Sequence, residues 1–178
     1  AFMWMVRCDG GQLADQFFEQ GVVAVGWGEV GNLSGLTREQ VIQKVQATWP
    51  DHKFRKAVMI GSMLHKLASV FKKGDQVVTY DPSKRTYSVG HIVGEYMYSP
   101  HAENGAAHRR DVNWENNIDR DSLSVPTKNN LGSTLTIFEI TGQAENEFKS
   151  LINGKPTILS AQNKFVAEEP EMDTKDLL

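Results

Sequence analysis

The stretch at residues 72–100, KKGDQVVTYDPSKRTYSVGHIVGEYMYSP, decides the fold of this chain. Two runs of strand-forming residues, 76–80 and 87–93, lie on either side of a turn-rich connector that contains Asp81 and Pro82. Because proline fixes its own φ and has no amide hydrogen, the connector ends the first strand and predicts a hairpin. The second strand carries Gly90 and Gly94, which predict a bulge, a barrel corner or the close approach of another backbone.

Apolar patterning elsewhere predicts further strands and helices around this hairpin. Apolar runs and alternation predict strands over 2–8, 22–27, 108–115 and 134–140. Apolar residues at helical spacing predict helices over 12–20, 37–49, 60–71 and 143–152. Residues 125–133 are expected to form a polar connector. Five or six strands with about three main helices predict an α+β fold, in which a curved sheet or small barrel is surrounded by the helices.

The composition is that of an ordinary soluble domain, with 40% apolar and 23% charged residues in a chain of 178. A net charge of −3 argues against a strongly basic nucleic-acid-binding coat, although it leaves room for a local basic site. The single cysteine, Cys8, excludes a disulfide framework and favours a cytoplasmic location. No apolar run is long enough to span a membrane. We therefore predict one domain over 1–152, followed by a disordered linker or tail over 153–178.

Short motifs spread over residues 2–141 resemble a known group of domains. They are WMVR at 4–7, VGW at 25–27, LSGLT at 33–37, GD at 74–75, HRR at 108–110 followed by Trp114, and LGS at 131–133. In this order and spacing they resemble PUA-like domains, especially EVE and YTH domains, and in particular the N-terminal region of Mrr-type restriction endonucleases. The resemblance implies a PUA-like fold that binds nucleic acid and holds a modified base in an aromatic pocket. It also implies that the tail leads to a nuclease domain outside this chain.

The expected base pocket combines aromatic and short polar side chains. A flipped base is stacked on flat side chains and hydrogen-bonded along its edge. Trp27 is the best candidate for the pocket wall, because glycines flank it at a strand end and because EVE and YTH domains often use a tryptophan near this point. The full set of predicted pocket residues is Trp4, Trp27, Ser62, Tyr80, Asp81 and Trp114. The alternative is a core position for the aromatic residues, and a helix-surface position for Ser62, which is expected at the start of its helix.

Basic residues are expected to contact the phosphates that flank the base. The predicted set is Arg7, Lys84, Arg85, His108, Arg109 and Arg110. Since adjacent residues on a strand point to opposite faces, Arg109 and Arg110 are not both expected to face DNA. Arg7 lies in an otherwise apolar strand, so it is expected to need an acidic partner or a ligand. For Lys84 and Arg85 the alternative is an ordinary solvated turn.

The sequence offers no catalytic motif that its predicted structure supports. Glu147-Phe148-Lys149 and Asp173-Thr174-Lys175 have the D/E-x-K spacing of a nuclease metal site. The first falls in a predicted helix and the second in the predicted tail, so both are interpreted as coincidences. The histidines and Cys8 show no metal-ligand spacing. We expect this chain to be non-catalytic and to carry neither a metal nor another cofactor.

The leading interpretation is the specificity domain of a modification-dependent (type IV) restriction endonuclease, an enzyme of phage defence. Its partner is double-stranded DNA that carries methylated or hydroxymethylated cytosine, or methylated adenine, and the sequence does not choose among these. A homodimer formed through the absent nuclease domain is a further expectation. Three alternatives stay open: a PUA-like RNA-binding module, a hydrolase or nuclease with an unrecognised site, and a protein-interaction domain.

Overall fold

The computed structural model describes residues 1–9 and 11–154, and it confirms an α+β fold built on one six-stranded mixed sheet with five α-helices. The strands are β1 (Met3–Val6), β2 (Val22–Val25), β3 (Gln76–Asp81), β4 (Thr86–Tyr98), β5 (His108–Asp119) and β6 (Ile137–Glu139). The helices are α1 (Ala14–Gln20), α2 (Arg38–Thr48), α3 (Phe54–His65), α4 (Val125–Asn130) and α5 (Gly142–Ile152). The predicted tail lies almost entirely outside the described residues.

The sheet has the strand order β2-β5-β4-β3-β1-β6, which makes β2 and β6 its two edges. Strands β1 and β3 are parallel, and the other neighbouring pairs are antiparallel. The hairpin predicted from 72–100 is β3–β4, which pairs from Gln76 opposite His91 to Asp81 opposite Thr86. The strongest sequence signal therefore forms the middle of the sheet.

The glycines in β4 mark irregular pairing with β5, as predicted. The register shifts between Val89 and Gly90, and again between Ile92 and Tyr96. A Cβ atom added to Gly90 would lie 2.3 Å from the carbonyl oxygen of Asn113, a distance that only glycine avoids. Bulges of this kind bend a strand and increase its twist, so they curve the sheet.

Both faces of the sheet are covered. On one face, Trp4 and Val6 belong to a core that α1, α2 and α3 complete. On the other face, Met3 and Met5 belong to a second core, to which α5 contributes Phe148. Because each β1 side chain is buried on one face or the other, the strand is apolar without alternation. Within the described ranges, no helix has the length and apolar character needed to cross a membrane.

Helix α3 begins earlier than predicted, at Phe54, so the expectation that it starts near Gly61 was wrong. Gly61 therefore lies in the middle of α3. A glycine is needed there because α2 packs closely against it, and an added Cβ would be 2.7 Å from Cγ1 of Ile42. Ser62 therefore lies within the helix, where the backbone amides already bond along the helix. The free amides expected beside Ser62 belong to the first turn after Phe54 instead.

A helix, α4, occupies most of the predicted polar connector. Ser124 caps it by accepting a hydrogen bond from the amide of Thr127 (3.3 Å). The buried Glu147 carboxylate accepts from the Ser124 amide (2.8 Å) and from the Thr127 hydroxyl (2.6 Å). Burial raises the pKa of Glu147, but the hydrogen bonds from Ser124, Thr127 and Gln143 outweigh it and lower the pKa overall. This carboxylate, on α5, fixes the start of α4, a long-range contact that the local sequence does not reveal.

Candidate functional site

A cavity of about 280 Å³ lies between the two edges of the curved sheet. Arg7 and Thr136 line it from the β1–β6 side, where the Arg7 amide donates to the Thr136 carbonyl (2.8 Å). Ala24 and Val25 line it from β2, the opposite edge. We call it the Trp27 cavity, since Trp27 follows β2 and is the aromatic residue among its described lining. The curvature predicted from sequence thus produces a site where the edges approach each other.

The main chain at Trp27 is held in an uncommon conformation. Its φ of 59° and ψ of 32° are left-handed, which is unfavourable for a bulky side chain and persists only where surrounding contacts enforce it. The His108 imidazole lies 3.0 Å from the Trp27 carbonyl oxygen, and the Tyr98 hydroxyl donates to the carbonyl of Gly28 (2.8 Å). An added Cβ on Gly28 would lie 2.9 Å from Cβ of Ala107, so the turn also packs tightly.

A hydrogen-bond chain determines the tautomer of His108. Since a carbonyl only accepts, His108 must donate from Nε2 to Trp27, which leaves Nδ1 to accept from the Tyr96 hydroxyl (2.7 Å). Tyr96 in turn accepts from the Leu33 amide (3.2 Å). Burial lowers the pKa of His108, and the positive charge of Lys44 acts in the same direction. Burial raises the pKa of Tyr96 to about 12, so both rings are neutral at physiological pH.

The side chain of Trp27 is left available by this arrangement. The indole is only partly buried, and within residues 1–9 and 11–154 its N–H makes no hydrogen bond. In antiparallel pairing, every second residue of a strand bonds to its neighbour and the residues between point their amide and carbonyl the other way. The carbonyl of Gly21 accepts from the Val112 amide, so the amide and carbonyl of Ala24 point away from β5. Ala24 itself is buried, so the accessible surface of the site is the partly exposed ring of Trp27. A flat aromatic surface with an unpaired N–H suits a planar ring with a polar edge.

Two turn residues add polar groups that the sequence analysis missed. Asp9 and Asn104 both line the Trp27 cavity, and both have positive φ, 52° and 58°. Each precedes a glycine, and Asp-Gly and Asn-Gly pairs are turn signals that could have identified them. What the pairs could not show is that both turns reach the same cavity.

The other predicted pocket residues lie apart from Trp27. Trp4 is in the core, where its N–H donates to Asp75 (3.0 Å) and its ring stacks on Phe71 with centroids 4.8 Å apart. Tyr80 packs against Tyr87 and lines a smaller cavity of about 190 Å³, to which Arg7 also contributes. Ser62 lies within α3, away from the residues that line the Trp27 cavity. The aromatic wall expected opposite Trp27 is not supplied by any of these residues.

Trp114 and Asp81 line a second cavity of about 320 Å³, which we call the Trp114 cavity. Several of its polar groups already have hydrogen-bond partners within the fold. Asp81 accepts from the amide and the hydroxyl of Ser83 (3.0 and 2.6 Å), and the Ser88 hydroxyl donates to Asn117 (2.7 Å). Lys84, from the hairpin turn, is at its rim and exposed.

The six predicted phosphate contacts divide into buried and accessible residues. His108 is fully buried, and Arg110 is 2% exposed. The guanidinium of Arg110 donates to the carbonyls of Gly94 (3.0 Å), Leu67 (3.1 Å) and Phe71 (2.9 Å), which ties β5 to the π-helical turn Lys66–Val70 that continues α3. A phosphate contact by either side chain would require these bonds to break.

Of the remaining four basic residues, three are exposed and Arg109 is half-buried. Arg85 bonds to Asp121 at 2.8 Å in an exposed pair at the hairpin turn. Arg7 donates to the carbonyl of Ser133 and lines the Trp27 cavity. Arg109 donates to Gln20 (3.0 Å) and points away from the buried Arg110, as strand alternation predicts. Searched over residues 1–9 and 11–154, the chain shows no group of three or more His, Cys, Asp or Glu side chains suited to hold a metal ion.

Comparison with known proteins gives a matching family model and a likeness to a solved structure. The model of the family described as "Domain of unknown function (DUF8426)" matches residues 4–141. Comparison with curated proteins gives no significant match. Among solved structures, the crystal structure of the MmI1 YTH domain is similar over 86% of this chain and 96% of that one, with a TM-score of 0.44 and 8% sequence identity. At that TM-score and identity, the likeness carries no argument about function.

Proposed function

We propose that this chain, which belongs to the family described as "Domain of unknown function (DUF8426)", binds nucleic acid and takes a modified base into the Trp27 cavity. The observation that carries the proposal is the state of Trp27. Its backbone is fixed by His108 and the turn by Tyr98, while its indole is left unbonded at a cavity between two strand edges. Its ring packs against the core without being fully buried, and its N–H stays unpaired within the described residues.

The energetics of base binding fit such a site. Extruding a base costs a few kcal/mol, and stacking on an aromatic ring returns about 1–3 kcal/mol per base. Because the hydrogen bonds to Trp27 and Gly28 already order the turn, little further entropy is lost when a base binds. Leu13 and Ala24 add apolar lining beside the ring. A methyl group buried against them would contribute about 0.8 kcal/mol, which is a physical basis for preferring a modified base.

The proposed partner is double-stranded DNA. Arg7 lies at the cavity itself, while Lys84 and Arg85 form an exposed basic turn at the end of the β3–β4 hairpin. Guanidinium and ammonium groups at such positions can bind phosphates on either side of an extruded base. This local set is compatible with a net charge of −3, because counterion release depends on the contacts made rather than on the whole chain.

The wider role that we propose comes from the sequence motifs. Their resemblance to the N-terminal region of Mrr-type enzymes makes this domain the base-reading part of a modification-dependent restriction endonuclease that acts in the cytoplasm against phage DNA. Cleavage, and any dimerisation through the nuclease, would belong to a domain outside this chain. Base reading itself needs no metal or other cofactor.

A fluorescence-polarisation titration tests the proposal. The ligands are one duplex with plain cytosine, 5-methylcytosine, 5-hydroxymethylcytosine or N6-methyladenine, and a matching single-stranded RNA, each at low and moderate salt. We expect one modified duplex to bind at least tenfold more tightly than the plain duplex, a difference of about 1.4 kcal/mol. Trp27→Ala should remove that difference, while Trp49→Ala, a partly buried tryptophan of another region, should keep it.

The other outcomes identify the alternatives. Equal and salt-sensitive binding to every ligand would reduce the domain to a phosphate-binding surface. Preference for the RNA would favour the RNA-binding alternative, and cleavage of DNA by this chain in the presence of Mg²⁺ would favour a nuclease. No binding to any ligand would overturn the proposal.

A further inference from the structure

A third cavity, of about 380 Å³, lies on the other side of the β4–β5 loop from Trp27. Residues 99–103 of the loop line it, whereas Asn104 of the same loop lines the Trp27 cavity. Gln16 and Gln20 of α1 and Arg109 of β5 form the rest of its lining. We call it the Arg109 cavity. A single loop therefore separates two cavities, each large enough for one part of a nucleotide.

Gln16 points to a ligand in this cavity. Its side chain is 8% exposed, and both amide atoms, Oε1 and Nε2, are buried without a hydrogen-bond partner among the described residues. Leaving such atoms unpaired costs about 1–3 kcal/mol for each group, so native proteins rarely do so without a reason. A side-chain amide is satisfied by a donor and an acceptor placed side by side. The edge of an adenine offers that pair at N6 and N7.

Arg109 supplies a second unpaired group. Gln20 holds its Nη1 at 3.0 Å, while Nε and Nη2 are buried and make no hydrogen bond within the part of the chain that the structure describes. Nε–H and Nη2–H lie on one edge of the planar guanidinium. That edge matches two oxygens of a phosphate in bidentate geometry. The hydrogen bond to Gln20 orients the guanidinium and leaves its Nε–H and Nη2–H edge without a partner among the described residues.

We propose that the Arg109 cavity is a nucleotide subsite, in which Arg109 binds the phosphate and Gln16 the base edge. Glu103 also lines the cavity, and its carboxylate disfavours a simple anion. A nucleotide compensates for the repulsion between Glu103 and the phosphate, because an exocyclic amine of its base can donate a hydrogen bond to the carboxylate. Within the proposed function, on which this extension rests, the subsite holds the nucleotide next to the base in the Trp27 cavity. It would read one flanking position.

Nuclear magnetic resonance of the full chain tests the subsite directly. The side-chain amide of Gln16 and the Nε–H of Arg109 are followed during titration with 2′-deoxyadenosine 5′-monophosphate, with deoxyadenosine and with inorganic phosphate. We expect the nucleotide to shift both signals along one saturation curve, at least tenfold more tightly than either part alone. The same result is expected in Trp27→Ala, so the subsite is tested separately from the proposed base reader.

Two variants with matched controls sharpen the test. Arg109→Gln should abolish the Gln16 shift, whereas Arg55→Gln, which removes the same charge from an exposed position on α3, should not. Gln16→Met keeps the shape of the side chain and removes the unpaired amide, so it should weaken nucleotide binding at least fivefold while the melting temperature stays equal or rises.

Three results would overturn the subsite. The first is that neither signal moves with millimolar nucleotide. The second is that phosphate alone binds as tightly as the nucleotide, which would indicate a plain anion site. The third is that Gln16→Met lowers stability and leaves binding unchanged, which would show that the amide serves the fold.

Discussion

The Trp27 and Trp114 cavities have similar volumes and similar residue types, yet they hold their tryptophans in opposite ways. Trp114 is fixed through its side chain, since its N–H donates to the Phe17 carbonyl (3.0 Å) and Phe18 meets the ring edge-on, with centroids 5.4 Å apart. Trp27 is fixed through its main chain, and its N–H has no partner within the described residues. The first arrangement ties the ring to the fold, and the second leaves the indole N–H unpaired, which is the feature on which the proposed base pocket depends.

The two cavities differ in the hydrogen bonds that their side chains make, and not in their residue types. Composition does not separate them, because each cavity contains an indole, an acidic group and an amide side chain. The number of hydrogen bonds that the lining side chains already make does distinguish the two cavities. In the Trp114 cavity, Asp81 and Asn117 have partners that the fold supplies. In the Trp27 cavity, the fold instead supplies hydrogen bonds to the main-chain carbonyls of Trp27 and Gly28.

The largest expected effect is on stability, from Trp114→Ala. Losing the half-buried ring and its hydrogen bond to Phe17 should lower the free energy of unfolding by about 3 kcal/mol. Trp27→Ala should cost less, by about 1 kcal/mol, because both rings pack against the core but only Trp114 also has a side-chain hydrogen bond to lose. Urea denaturation followed by circular dichroism measures both. Equal losses in the free energy of unfolding for the two variants would mean that the fold depends on both rings alike.

A graded series at Trp27 should affect binding rather than stability. Trp27→Leu removes the aromatic surface and should weaken binding of the preferred modified duplex at least tenfold, or about 1.4 kcal/mol. Trp27→Phe keeps a stacking ring and should lose about threefold. Polarisation titrations of the two variants check this order. Similar losses in both would argue against stacking as the source of affinity.

Removing the Tyr98 hydroxyl should loosen the Trp27 turn without emptying the cavity. Tyr98→Phe deletes the hydrogen bond to the Gly28 carbonyl, worth about 1 kcal/mol, so binding should weaken about fivefold. Ser88→Ala is the matched control, because it removes a hydroxyl hydrogen bond from the Trp114 cavity and should leave binding unchanged. If both variants bind as the unmodified chain does, the turn is not pre-organised by Tyr98.

The smallest effect is a pH dependence that comes from His108. Because its pKa in the folded state lies below the ordinary value of 6.5, the unfolded state binds more protons, and stability falls as pH drops below about 6.5. Melting temperatures between pH 7.5 and 5 should show this loss, and His108→Gln should reduce its slope. His65, whose pKa is also lowered by burial, titrates in the same range, so His65→Gln is the necessary control.

Local signals in the sequence determined a large part of the fold. Thr37 and Gln40 have the residue types and spacing of a capping box, and both of its hydrogen bonds are present, at 2.9 and 3.2 Å. The hairpin and its bulge were likewise readable, because turn residues and glycines act on their nearest neighbours. Trp27 stood out for the same reason, as a large ring between two glycines at the end of a strand.

Only the tertiary structure decided which polar and aromatic residues belong to the fold. Trp4 and Arg110 were candidates for contact with a base or a phosphate, and both are buried among partners that are distant in sequence, Asp75 and Leu67. Burial and hydrogen bonding depend on which segments meet across the sheet, and this information is not contained in spacing along the chain. For the same reason, the cavity between the two sheet edges and the unpaired amide of Gln16 became visible only once the strands had curved toward each other.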